Sequence, residues 1–187
     1  MAETPESTEK TVDQAQTAKT ARQDEPGSTL ATPPATQVPP KIGPWYPPSW
    51  ARQPPGMPWD DWAAWQPFMQ GPGAAWPEYA YNVRLAVGDP DEPPANVAAL
   101  EMWRELTAKR IDALGRRGNR YTIFEARRIS GWSAIAQLLG YRTLWQLNYP
   151  DLDLDTPWLI TTAADTALRL LAAQNGIKIW TVGDPPA

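Results

Sequence analysis

Hydrophobic and polar residues alternate strictly along one stretch of the chain, from Tyr79 to Val87. A period of two residues over this length predicts a half-buried β-strand. The strand lies between two proline-rich stretches, so we expect it either to pair within the protein or to add to the edge of a partner's sheet. The residues that strand addition would use are Tyr79, Tyr81, Val83 and Leu85.

A helical pattern follows this strand. Asn96 is a favourable N-cap residue, and the apolar positions after it are spaced about one helical turn apart. These positions are Val97, Leu100, Trp103, Leu106, Ile111 and Leu114. The pattern predicts a helix that Gly115 ends. The connector after it is basic and contains Arg116, Arg117 and Arg120, which suggests contact with a phosphate or an acidic partner or, more simply, a solvated turn.

The stretch from Tyr121 to Trp180 has the clearest order of elements. Tyr121 begins a predicted strand, and an apolar helical face then runs to Gly140. A second short helix is predicted from Thr143 to Leu147, and Asn175-Gly176 opens a closing strand. The predicted succession is strand, helix, helix, strand.

Several pieces of this stretch resemble the lysin motif, or LysM domain. The matching pieces are Tyr121-Thr122-Ile123, Ile135-Ala136, Gly140, Leu147-Asn148 and Ile177-Lys178-Ile179. The resemblance covers about a third of the chain. It implies a small α+β domain whose loops, in that family, form a groove for N-acetylglucosamine chains. Two features depart from the family: FEARRISG replaces its Gly-Asp-Ser/Thr turn, and an inserted helix is predicted from Thr161 to Gln174.

Residues before this domain have a different character. Residues 1–44 are polar, and predict a tail that is disordered or ordered by a partner. Residues 45–94 combine tryptophans with prolines, which predicts an extended arm containing the one strand. The candidate partner-binding residues of the arm are Trp45, Trp50, Trp59, Trp62, Trp65 and Trp76. The alternative is that these indoles pack against the protein's own globular part.

The predicted organisation therefore has five parts. They are the tail 1–44, the arm 45–94, the helix and basic connector 95–118, the LysM-like domain with its inserted helix 119–182, and the tail 183–187. The fold class is α+β, a small LysM-like strand-helix-helix-strand domain preceded by an extended Pro/Trp-rich N-terminal arm.

Composition narrows the chemistry. The chain has 187 residues and contains neither His nor Cys, which excludes Ser-His-Asp and Cys-His catalysis and disulfide bonds. Its net charge of −4 gives little overall attraction to nucleic acid. Neither a signal peptide nor an apolar run long enough to span a membrane is found in the sequence. We expect no cofactor, no metal ion and no membrane partner.

Particular residues suggest two other functions. A helix-turn-helix would use the segment before Asn148 together with Arg127, Arg128 and Arg142, but its second helix would present apolar side chains where base reading needs polar ones. The alternation of Asp151, Asp153 and Asp155 resembles the start of a calcium loop, but the Gly and Glu that complete such a loop are missing.

The sequence therefore predicts a non-enzymatic structural component of a bacteriophage virion, because LysM-like modules without a clear sugar groove resemble docking units of phage tails and baseplates. Its partners would be other virion structural proteins in a multimeric assembly, formed in the bacterial host cytoplasm. The first alternative is a peptidoglycan-binding LysM-type protein. The second is a helix-turn-helix nucleic-acid-binding protein.

Overall fold

The computed structural model describes residues 41–92 and 94–183, which form a mixed α+β structure and confirm the predicted class. The strands are β1 (Trp45–Tyr46), β2 (Glu78–Leu85), β3 (Lys109–Arg117), β4 (Arg120–Arg127), β5 (Asp153–Leu154), β6 (Trp158–Thr161) and β7 (Lys178–Thr181). The helices are α1 (Trp59–Gln70), α2 (Val97–Thr107), α3 (Trp132–Asn148) and α4 (Thr166–Gln174), with a short 3-10 helix at Pro72–Ala75.

All seven strands of the described chain belong to one mixed sheet, in the order β1-β2-β3-β4-β6-β7. β1 to β4 are antiparallel, whereas β4, β6 and β7 are parallel and are joined by α3 and α4. β5 pairs with the start of β4. Neighbouring parallel strands must be joined by a long crossover connection, here a helix. A tight turn would leave the second strand antiparallel to the first. The carboxyl ends of β4 and β6 therefore lie at one end of the sheet.

Each face of the sheet supports its own apolar core. On one face α3 and α4 cover residues such as Ile123 and Leu159. On the other face α1 covers an aromatic cluster centred on Phe68 and Phe124, whose ring centroids are 5.4 Å apart. Trp65 lies edge-on to Phe124 at 5.5 Å and is fully buried. Aromatic rings of this size account for much of the apolar area in this core.

Two predictions at the level of elements are confirmed. The alternating stretch forms β2, with Tyr79, Tyr81, Val83 and Leu85 buried. Asn96 caps α2, because its Oδ1 accepts a hydrogen bond of 2.8 Å from the Ala99 N–H.

The predicted end of the helix after Asn96 is wrong. α2 ends at Thr107, and residues Lys109–Arg117 form β3 instead. Ile111 and Leu114 are buried in the sheet, so tertiary packing overrides the helical spacing of these two residues. Gly115 does not end a helix but lies inside β3, opposite Tyr79 and Thr122.

The predicted break between two short helices is also wrong. α3 is one continuous helix from Trp132 to Asn148, and Gly140 lies inside it. A single glycine costs a helix only about 1 kcal/mol, which the packing of the buried α3 face offsets. The inserted helix begins at Thr166 rather than Thr161, because the residues before it form β6.

The Trp/Pro-rich segment is not an extended arm over residues 45–85. It contributes β1, α1 and β2 to the sheet and to one core, which agrees with the alternative that the indoles pack against the protein itself. Most of the predicted tail 1–44, and residues 184–187 of the C-terminal tail, lie outside the described residues.

Candidate functional site

A buried polar cluster lies at the carboxyl end of β4. It contains Asp61 of α1, Asp112 of β3, and Glu125 and Arg127 of β4. Arg127 is at the centre of the cluster: its Nη1 lies 3.2 Å from Asp61 Oδ2 and 3.3 Å from Asp112 Oδ2, and its Nη2 pairs with Glu125. One guanidinium therefore holds three carboxyl groups from three elements together.

Two of these carboxylates also accept backbone hydrogen bonds. Asp61 Oδ1 accepts from the Arg128 N–H at 2.9 Å, and Asp112 Oδ2 accepts from the Ala126 N–H at 3.0 Å. Asp61 lies in the first turn of α1, where the helix dipole stabilises a negative charge. These bonds fix the start of α1 against the end of β4.

Glu125 has the most strongly shifted pKa in the cluster. Its side chain is fully buried, and its carboxyl group contacts the Arg127 guanidinium and the Asp112 side chain. Burial, followed by the negative charge of Asp112, raises the pKa of Glu125 to about 9. Burial also raises the pKa of Asp112. Glu125 is therefore protonated at neutral pH, which reduces the negative charge that Arg127 must balance.

The chemistry open to this cluster is limited by its burial. A carboxyl with a raised pKa is the usual form of a general acid, but such a group must reach the substrate. Glu125 has no exposed surface, and Arg127 and Asp112 cover it. Within the described residues no group of three potential ligands is arranged to hold a metal ion. The geometry fits a structural network better than a catalytic one.

Large apolar side chains are exposed at the same end of the sheet. Trp59 precedes the aspartates of α1 and is 71% exposed, and Trp132 opens α3 and is 68% exposed. Ile129, just after Arg128, is also exposed. We call Trp59, Ile129 and Trp132 the apolar edge. Clusters of exposed apolar side chains, unlike single ones, are typical of surfaces that bind another molecule.

A second exposed apolar surface lies on α2. This helix has no buried residue, and Val97, Met102 and Leu106 are exposed, Leu106 to 79%. Two ion pairs hold α2 to the rest of the chain. Arg104 Nε donates to Asp89 Oδ1 at 2.6 Å, and Glu105 pairs with Arg84 of β2. Polar contacts hold α2 in place while part of its apolar face stays uncovered.

The six predicted partner-binding tryptophans have different environments. Trp65 and Trp76 are buried core residues, and the Trp76 Nε1–H donates to Thr122 Oγ1 at 3.0 Å. Of the six, Trp59 alone is largely exposed. The remaining three, which are half-buried, are Trp45, Trp50 and Trp62. Trp65 and Trp76 have no surface to offer a partner in this conformation.

Each of the three arginines predicted to contact phosphate has a partner within the protein. Arg116 pairs with Glu78 at 2.6 Å and lies over the Trp45 ring at 4.2 Å. Arg117 lies over the Trp76 ring at 4.2 Å. Arg120 pairs with Asp155, one of the three aspartates with calcium-loop spacing. These contacts support the solvated-turn interpretation over a phosphate site.

The residues predicted for strand addition lie in β2, which pairs with β3 from Glu78 to Leu85 except at Asn82. On its other side β2 pairs with β1 only through Tyr79 and Ala80. The strand thus pairs within the protein, and only part of one edge is left without a neighbouring strand in the described chain.

The acidic cluster and the exposed face of α2 were not predicted from the sequence. The sequence pattern places Asp112 in the helix that Gly115 ends, and it places Glu125 in the segment FEARRISG, where the LysM family has a turn. One signal could have indicated the cluster. Glu125 follows the apolar run from Tyr121 to Phe124, so it continues a buried strand and needs a cationic partner.

No helix among the described residues is long and apolar enough to cross a membrane. Comparison of the chain with models of protein families, with curated proteins and with solved structures gives no match.

Proposed function

We propose that this protein is a non-enzymatic docking component of a bacteriophage virion, in the tail, baseplate or connector region. The observation that carries the docking role is the exposure of large apolar side chains at two places, the apolar edge and the outer face of α2. Covering these side chains releases free energy of about 25 cal/mol per Å² of apolar area. A partner surface is the natural cover for them.

The non-enzymatic part of the proposal is supported by the acidic cluster. Glu125 has the raised pKa that acid catalysis would use, but its carboxyl group is buried against Arg127 and Asp112, where a substrate cannot reach it. With neither His nor Cys in the chain, general acid–base catalysis would have to use carboxyl, lysine or tyrosine side chains.

The virion setting comes from the resemblance to LysM-like modules of phage particles, and it remains a proposal together with that resemblance. The strand at Tyr121, the helix through Ile135 and the closing strand at Ile179 support it. The continuous helix α3 and the strand β6, which lies between β4 and β7, count against it. The docking role does not depend on the LysM interpretation.

The test uses particles produced in cells that carry the gene. The double variant Trp59→Ser, Trp132→Ser removes two exposed indoles without touching either core. We expect the wild-type chain to sediment with purified particles and the double variant to be at least about tenfold depleted. This corresponds to a loss of about 1.4 kcal/mol of binding free energy, at the lower end of the effect of an interface tryptophan.

A matched control keeps the result interpretable. The variant Gln66→Ser, Gln146→Ser changes two exposed polar residues of α1 and α3, the same two helices. It should fold and enter particles like the wild-type chain. If the wild-type chain itself is absent from particles, the virion setting is wrong. If the double variant enters normally, the apolar edge is not a docking surface.

Peptidoglycan binding is the second candidate, and one observation favours it. Trp59 and Trp132 are broad, exposed indoles, which can pack against the apolar faces of sugar rings. This candidate predicts that the wild-type chain sediments with purified cell walls and that the double variant stays in solution. Equal behaviour of both chains would remove it.

A further inference from the structure

One edge of the sheet is incomplete beside β2. β1 pairs with Tyr79 and Ala80, and no strand of the described chain pairs with the next residues, Tyr81–Leu85, on this side. An unpaired strand edge presents backbone N–H and C=O groups that can pair with another extended chain. The sequence predicted strand addition at β2, and this edge is where the structure leaves room for it.

A cleft of about 820 Å³ opens along this edge. Its walls are the β2 edge, the segment before β1 that includes Lys41 and Pro44, and the end of α2 from Arg104 to Ala108. This volume is in the range of sites that bind small ligands.

Both ends of the open edge are already defined within the protein. The side-chain amide of Asn148 pairs with the backbone of Ala86: Nδ2 donates to the Ala86 carbonyl and Oδ1 accepts from the Ala86 N–H, both at 3.0 Å. At the other end β1 occupies the edge at Ala80. An added strand is thus limited to the five residues Tyr81–Leu85, within which the left-handed backbone of Asn82 (φ 53°) interrupts the extended edge.

The charges around the cleft favour an acidic occupant. Its lining contains three basic residues, Lys41, Arg84 and Arg104, and one acidic residue, Glu105. Arg84 pairs with Glu105, and Arg104 pairs with Asp89. Lys41 is exposed and forms no ion pair with another described residue. A carboxylate on the incoming segment would meet the uncompensated charge of Lys41.

We propose that this cleft binds an extended, acidic segment of a partner protein, which adds as a strand to the β2 edge at Tyr81–Leu85. The inference rests on the proposed docking function, because it names the chemistry of one partner contact. Main-chain hydrogen bonds would give the affinity, and the acidic side chain beside Lys41 would give the preference.

The experiment is a fluorescence anisotropy titration of the full chain with labelled heptapeptides. The peptide EVTVEVD alternates acidic and apolar residues. KVTVKVK reverses the charges, and EVTPEVD replaces the central N–H with proline. We expect saturable binding of EVTVEVD and binding at least about tenfold weaker for both other peptides, a difference of about 1.4 kcal/mol.

Two variants locate the site. Lys41→Glu reverses the charge of the cleft and should weaken EVTVEVD binding about tenfold, a loss of about 1.4 kcal/mol. Lys178→Glu makes the same change at an exposed residue of β7, at the opposite edge of the sheet and outside the cleft lining, and should leave the affinity within about twofold. Hydrogen exchange should show slower amide exchange at Tyr81–Leu85 when EVTVEVD is bound.

The inference is overturned if none of the peptides binds up to about 1 mM, a limit near 4 kcal/mol of binding free energy. It is also overturned if EVTVEVD binds without protecting Tyr81–Leu85. The docking function is judged separately by sedimentation of the wild-type chain with particles. If the wild-type chain enters particles but binds no peptide, only the proposal about the cleft is overturned, and the docking function stands.

Discussion

Asp112 and Glu125, on neighbouring strands, share the guanidinium of Arg127, with Nη1 3.3 Å from Asp112 and Nη2 paired with Glu125. The two carboxyl groups are close enough for the charge of Asp112 to raise the pKa of Glu125, beyond the larger effect of burial. This pair therefore holds a proton that exposed carboxylic acids lose near pH 4.

The first prediction concerns stability and pH. The pKa of Glu125 is raised from its ordinary value of 4.5 to about 9 in the folded protein. Between these values the unfolded chain has released the proton and the folded protein keeps it, so stability falls as pH rises. The slope from this group approaches about 1.4 kcal/mol per pH unit. Urea denaturation from pH 6 to pH 9 measures it.

Glu125→Gln keeps a neutral side chain of similar shape and should flatten this slope. The control Glu101→Gln alters an exposed carboxylate of α2 and should leave the slope as in the wild type. A slope that is unchanged in Glu125→Gln would mean that Glu125 is ionised in the folded protein.

The second prediction compares two adjacent aspartates of α1. Asp61→Ala removes the acceptor of the Arg128 N–H and one partner of Arg127, and should cost about 2 to 4 kcal/mol of unfolding free energy. Asp60 is largely exposed and lies 3.9 Å from Arg128, so Asp60→Ala should cost no more than about 0.5 kcal/mol. Equal losses for both would contradict a buried role for Asp61.

The third prediction compares two glycines. A Cβ added at Gly115 would lie 2.7 Å from Trp76 Cδ1 and 2.9 Å from Phe124 Cε2, two buried rings. Gly115→Ala should therefore cost about 1 to 3 kcal/mol or more. Gly140 has no atom within 4 Å of such a Cβ and lies inside α3, so Gly140→Ala should stabilise by about 0.5 to 1 kcal/mol. Thermal unfolding of both variants tests the pair; destabilisation by Gly140→Ala would indicate a break in α3.

The fourth prediction separates a core tryptophan from a surface one. Trp65 is fully buried among aromatic rings, so Trp65→Ala should cost about 3 to 5 kcal/mol. Trp59→Ala should change stability by no more than about 0.5 kcal/mol, because Trp59 is exposed. Urea denaturation followed by circular dichroism measures the unfolding free energy of both variants. A large loss from Trp59→Ala would place that indole in the fold rather than at a docking surface.

The sequence was sufficient where one local pattern decided the structure. The alternation before Val87 predicted β2, and Asn96 predicted the start of α2, because both signals act within a few residues. It was insufficient where distant contacts decide. Ile111 and Leu114 fit a helical stripe as well as a strand, and only pairing with β2 and β4 selects the strand.

Contacts between residues distant in sequence also explain why the candidate site could not be predicted. Asp61, Asp112 and Arg127 are far apart in sequence, and the sheet and α1 bring them together. The tryptophans show the converse. Trp59 and Trp65 looked equivalent in sequence, but they lie on different sides of α1, one exposed and one buried. No local signal distinguishes an indole that packs against its own sheet from one left uncovered.

The most direct test of the docking role is oxidative footprinting of the protein, free and within purified particles. Trp59, Trp132 and Met102 should be oxidised readily in the free protein and at a rate at least about fivefold lower in particles, because an interface excludes the oxidant from these side chains. Trp65 should be protected in both and serves as the internal control. Equal oxidation of Trp59 and Trp132 in the free and particle-bound protein would contradict the proposal.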